Sequence, residues 1–126
     1  MVGKKILIVD DEGDALAVLE KRLSMAGYSV IKADNGKDAI RLAKDEQPDL
    51  VLLDIVMPDM DGAEIGKILK NDPNTKDIPI VFLTCLFTKD DEVRQGRRTS
   101  SNFFIAKPYN PEELLGEIKK QLTTKI

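Results

Sequence analysis

Histidine is absent from this sequence, which removes histidine metal sites and any reaction in which the chain's own imidazole carries a group. A single cysteine, Cys85, leaves no internal disulfide and fits a reducing compartment. No apolar run approaches the roughly 18 to 20 residues that span a bilayer, and the apolar segment after MVGKK is too short for a signal peptide. No membrane insertion and a cytoplasmic location are therefore expected. An excess of positive charge is missing too: 19 Lys and Arg against 22 Asp and Glu give a net charge of -3, so direct nucleic-acid binding is not expected. Repeats, low-complexity tracts and long Pro/Gly/Ser linkers are lacking as well, and the expectation is one domain over residues 1–126.

What is present is an alternation of two kinds of segment. Short, almost wholly apolar runs occur at KILIV (Lys5 to Val9), YSVIKA (Tyr28 to Ala33), LVLLD (Leu50 to Asp54), IVFLT (Ile80 to Thr84) and FFIA (Phe103 to Ala106). Three of them read as strands buried on both faces, the pattern of a parallel sheet covered by helices. Between them lie segments of helical spacing. Leu16, Leu19 and Leu23 recur on one face before Gly27; Ala39, Ile40 and Ala43 do so before Gln47-Pro48; Ile65, Ile68 and Leu69 do so before Asp72-Pro73. Asn110-Pro111 announces a last helix that carries Leu114, Leu115, Ile118 and Leu122 inward. KDDEVRQGRRTSSN has hardly any apolar stripe, and a helix there is expected from topology alone. The fold class is α/β: a doubly wound, five-stranded parallel sheet of order 2-1-3-4-5, with ligands bound beyond the carboxyl ends of the strands.

Asp54 stands at the end of an apolar run, where an unaccompanied carboxylate is costly. Company is predicted by the strand ends: Asp10 and Asp11 follow the first strand, Thr84 ends the fourth and Lys107 follows the fifth, so all converge on one sheet edge. Taken singly each has a bland reading as a turn, backbone-satisfied or solvated residue; their joint placement argues against that. Three neighbouring carboxylates would repel one another unless a cation sat among them. All-oxygen ligation without histidine or thiol favours Mg²⁺, which keeps waters and takes a few carboxylates plus a phosphate oxygen. With an ammonium opposite and a hydroxyl between, the site suits a phosphoryl group, and Asp54 suits the nucleophile that receives it.

The chain resembles the receiver domain of two-component response regulators, in particular single-domain regulators of the chemotaxis type. The resemblance runs over essentially all 126 residues. It rests on VDDE (Asp10, Asp11), LLDIVMPDMDG (Asp54, Met57, Pro58, Asp61, Gly62), FLT (Thr84) and FFIAKP (Phe104, Lys107, Pro108). It implies the flavodoxin-like receiver fold and a phosphoacceptor switch that catalyses only its own phosphorylation and slow dephosphorylation. Asp54 would accept the phosphoryl group from a phosphohistidine on a sensor histidine kinase or histidine phosphotransfer protein. Asp11, Asp54 and the carbonyl of Val56 would ligate Mg²⁺, with Asp10 acting through a bound water. Thr84 and Lys107 would contact the phosphoryl oxygens. Thr84 and Phe104 would then switch a surface that binds a downstream protein target. With no histidine of its own, the chain needs an outside phosphodonor.

The departures from the family pattern are Val56 and Leu86, which cannot hydrogen-bond an attacking water and so predict slow self-dephosphorylation, and RQGRRTSSNFF, where Arg94, Arg97 and Arg98 form a basic cluster. That segment is either a surface for an acidic partner or a loosely ordered solvated stretch. Three rival functions remain. A phosphohydrolase of the haloacid dehalogenase type needs a second Asp where Val56 stands. A pseudo-receiver would work as a binding module without phosphorylation, although every phosphorylation position is present. A flavodoxin-like cofactor binder would need a phosphate cradle where DDEGD stands. With no residue after Ile126, no attached output domain is expected; the alternative is a piece of a longer response regulator or hybrid kinase.

Overall fold

A computed structural model describes residues 4–54, 62–84, 98–99, 102–106 and 111–123. The apolar runs form β1 (Lys5–Val9), β2 (Ser29–Ala33), β3 (Leu50–Asp54) and β4 (Ile80–Thr84). Helices α1 (Gly13–Met25), α2 (Gly36–Glu46) and α3 (Gly62–Asn71) alternate with them. Two more strands, β5 (Arg98–Thr99) and β6 (Asn102–Ala106), precede helix α4 (Pro111–Thr123).

The sheet order is β2-β1-β3-β4-β6-β5. Pairing is parallel from β2 through β6 and antiparallel between β5 and β6. This is the expected 2-1-3-4 arrangement in its first four strands, with a correction at the far edge. Instead of one closing strand there are two, because Arg98–Thr99 folds back with Arg98 opposite Phe103 and Thr99 opposite Asn102. Two residues carry no period that a sequence pattern could reveal, and a short, charged outer strand is a common way to close a sheet edge. The helix expected on residues 89–102 is corrected where that span is described: Arg98–Thr99 is a strand and Asn102 begins the next, paired antiparallel, and the rest of the span lies outside the described residues.

Because β1, β3 and β4 are flanked by strands on both sides, successive side chains must be buried on opposite faces. Ile6, Ile8, Leu50, Leu52, Val81 and Leu83 pack with Leu16, Leu19 and Leu23 of α1 and with Leu114 and Ile118 of α4. The intervening residues, Leu7, Val9, Val51, Leu53, Ile80 and Phe82, pack with Ala39 and Ala43 of α2 and Ile65 and Leu69 of α3. Ile68, expected on the inward face of α3, is instead 37% exposed: Ile65 and Leu69, four residues apart, define the stripe, and Ile68 lies at its margin.

Local chemistry fixes the helix ends. Asn35 caps α2, its side chain accepting the Asp38 N–H at 2.8 Å. Gln47 turns the chain out of α2 in the left-handed conformation, φ 49 and ψ 60, just before Pro48. Gly27, at φ 97, does the same after α1. Between α3 and β4, the buried Thr75 hydroxyl donates to the Leu69 carbonyl at 2.6 Å, and Lys70 Nζ donates to the Ile78 carbonyl at 3.0 Å.

Candidate functional site

The register places the carboxylates. Val9 pairs with Leu53, so the residues that follow, Asp10 and Asp54, emerge side by side at the carboxyl edge of β1 and β3. Asp10 is 1% exposed and Asp54 6% exposed, while Asp11 faces solvent. One carboxylate oxygen of each of Asp10, Asp11 and Asp54 lies within 4.8 Å of the others. The loop that carries the pair is held by two bonds. The Asp10 N–H donates to the Ala33 carbonyl of β2 at 3.2 Å, and the Glu12 N–H donates to Asp10 Oδ1 at 3.0 Å. This second bond is a side chain closing a turn on its own backbone two residues on. The role of the Glu12 backbone was not read from the sequence, although an aspartate just after a strand is its signal.

Two ionised carboxylates at this spacing repel by about 3 kcal/mol at an effective dielectric near 20. A hard divalent cation offsets that repulsion, and a cluster of two buried oxygen ligands with a third open to water suits one that retains part of its hydration. The residues fit Mg²⁺ by their donor chemistry: oxygen only, with no histidine in the chain.

The other expected site residues are placed by backbone or lie elsewhere. Asp54 pairs with Leu83, so Thr84 ends β4 one position beyond the acceptor's row. Thr84 pairs with Ala106, the residue before Lys107, and Phe104 pairs with Phe82. Val56, Leu86, Lys107, Arg94 and Arg97 lie outside the described residues. Arg98, expected in a helix or a loosely ordered stretch, is in β5.

The description "Response regulator receiver domain" matches residues 6–119. The chain belongs to the response regulator receiver domain family. The phosphate regulon transcriptional regulatory protein PhoB of Pseudomonas aeruginosa is 41% identical over 122 residues, covering 97% of this chain and 53% of PhoB. The chain spans about half the length of PhoB and of the ycf27 transcriptional regulators it also matches. Protein PilH of the same organism is 39% identical over 120 residues, and there the match covers 94% of this chain and 97% of PilH. Among solved structures, the receiver domain of sensor histidine kinase PA1611 from P. aeruginosa superposes with a TM-score of 0.83 at 26% identity, covering 97% of this receiver and 99% of that one. That structure has a magnesium ion coordinated in its active-site cleft. The receiver fold and signalling family anticipated from VDDE, LLDIVMPDMDG, FLT and FFIAKP are thus those of the chain. Among the described residues no helix is long and apolar enough to cross a membrane.

Proposed function

We propose that this receiver accepts a phosphoryl group on Asp54 and thereby switches a protein-binding surface. The observation that carries the proposal is the convergence of Asp10, Asp11 and Asp54 within 4.8 Å at the carboxyl edge of the sheet. In the transfer, a carboxylate oxygen of Asp54 attacks phosphorus, the N–P bond of a partner's phosphohistidine breaks, and the imidazole leaves as the neutral base after taking up a proton. The donor is a sensor histidine kinase or a histidine phosphotransfer protein, since this chain has no histidine. Asp11, Asp54 and the Val56 carbonyl would hold Mg²⁺, with Asp10 engaged through water. The bound ion supplies positive charge against the carboxylates and the phosphoryl oxygens. The Thr84 hydroxyl and the Lys107 ammonium hold those oxygens, and Thr84 and Phe104 relay the new charge to the surface that a downstream protein reads. Val56 and Leu86 leave an attacking water unoriented, so the phosphorylated form is long-lived. The chain acts as a receiver domain in the cytoplasm, and its only catalysis is on its own phosphate.

The test is intact mass after incubation with acetyl phosphate and Mg²⁺. The expected result is a gain of one phosphoryl group by the parent and none by Asp54→Asn. No gain by a folded parent that binds Mg²⁺ would replace this reading with a pseudo-receiver that binds without phosphorylation.

A further inference from the structure

Helix α3 begins eight residues after Asp54 and packs on the row of side chains directly beneath the carboxylates. That row is set by register: Val9 pairs with Leu53 and Leu53 with Phe82. The next residues along β1 and β3 are Asp10 and Asp54. All three apolar residues belong to the core layer shared with Ile65 and Leu69 of α3. At the centre of this contact is a glycine, Gly66. A Cβ built there would lie 2.7 Å from Phe82 Cζ and 3.3 Å from Cε1, with Ile80 Cδ1 at 3.9 Å. The first distance is inside any real carbon–carbon contact, so a methyl group forces the ring or the helix to move by several tenths of an ångström. Glycine in a helix interior costs roughly 0.5 to 1 kcal/mol relative to alanine, so its presence calls for a local reason. Contact with the ring is that reason. Gly116 of α4 makes the contrast, because nothing lies within 4 Å of a Cβ built there.

We propose that Gly66 and Phe82 form the seat of α3, and that this seat positions the acceptor end of β3 for Mg²⁺ binding and phosphoryl transfer. The segment between Asp54 and Gly62 is short and is anchored at one end by β3 and at the other by α3. Phe82 pairs with Leu53, the residue before Asp54, so a shift of the helix on the ring also bears on the acceptor end of β3 through the sheet. Gly66 is a positioning residue here, acting through Phe82 and the helix. This inference rests on the reading of Asp54 as the phosphoacceptor.

The experiment compares Gly66→Ala, Phe82→Leu, the double variant and Gly116→Ala. The readouts are Mg²⁺ affinity by calorimetry, phosphorylation rate with acetyl phosphate, and melting temperature. Misplacement by about 1 Å costs on the order of 10²-fold in rate, so a shift of several tenths predicts a loss on the order of tenfold for Gly66→Ala. Phe82→Leu leaves a gap at the same seat and also weakens Mg²⁺ binding. In the double variant the methyl group fills that gap, and both affinity and rate recover toward the parent. Gly116→Ala leaves both unchanged. Parental Mg²⁺ affinity and rate in folded Gly66→Ala overturn the proposal, as does a loss that Phe82→Leu does not relieve. Should Gly66→Ala alone not fold, the comparison of Phe82→Leu with the double variant decides: equal or weaker Mg²⁺ binding in the double variant overturns it. A parent that takes no phosphoryl group overturns the proposed function instead, and the calorimetric comparison still reads the seat.

Discussion

At the scale of single residues, Gln47 shows how a local conformation sets a measurable stability. It is the one non-glycine residue at positive φ among the described residues. A left-handed backbone costs an ordinary residue about 1 to 2 kcal/mol, a cost that glycine escapes. Gln47 recovers part of it, since its Nε2 donates to the Lys44 carbonyl at 3.1 Å and to the Ala43 carbonyl at 3.4 Å at the end of α2. These bonds are partly exposed and weak, so Gln47→Gly is expected to raise stability by about 0.5 kcal/mol. Gln47→Ala keeps the backbone cost and loses the bonds, and is expected to lower it by a similar amount. Urea midpoints at constant slope read both changes. A drop for Gln47→Gly would show that the side-chain bonds outweigh the backbone strain. The two positions at which the sequence is least informative have the same origin. Gln47 and Gly66 are chosen by backbone angle and by a neighbour far away in the chain, and neither leaves an apolar period to read.

At the scale of elements, legibility follows burial. β1, β3 and β4 declared themselves because strands covered on both faces need unbroken apolar runs, and the carboxylates after β1 and at the end of β3 marked the candidate site's edge. β5 did not, being two residues long, and Ile68 was misassigned because a stripe's margin looks like its centre in a sequence. The connection between α3 and β4 is held by polar contacts instead, and these titrate. The carboxyl of Asp72 lies below its ordinary value of 3.8, first because it accepts the Asn74 backbone N–H and then because of its bond to Lys44. The N–H approaches to 2.8 Å and Lys44 Nζ to 3.2 Å. A carboxyl depressed in the folded state adds stability that is present above its unfolded value and is lost as pH falls through the folded value. Asp72→Asn should therefore destabilise the chain at pH 6 and lose that effect as pH falls through the folded value, in urea titrations run at each pH. A mutant deficit that stayed constant down to pH 2 would assign the effect to packing. Tyr28 gives the opposite sign at the alkaline end. Burial raises its phenol above 10.0, so its contribution is intact below that value and is lost as pH rises through the folded value.

For the whole molecule, function and stability oppose each other at one sheet edge. The two core layers hold β1 and β3 in register, and that rigidity keeps Asp10 and Asp54 buried beside each other with Asp11 close by. Carboxylates this close repel one another, and a cation or the loss of one charge eases that repulsion. With metal removed by EDTA, Asp54→Asn is expected to melt at a higher temperature than the parent, because the amide keeps the shape and removes a buried negative charge. Mg²⁺ then reverses the order. Binding to the folded parent is expected to stabilise it by RT ln(1 + [Mg²⁺]/Kd), about 2.7 kcal/mol at one hundred times the dissociation constant, while a variant short of one carboxylate is expected to gain less. The decisive measurement is the melting temperature of both proteins across a magnesium titration, with calcium as the comparison ion. Crossing curves are the signature of a carboxylate that is kept for the ion and the phosphoryl group at the expense of the fold. Parallel curves would mean that Asp54 is no ligand and that the ion is held by Asp10 and Asp11 alone, and the acceptor would then have to be phosphorylated without a metal bound to it.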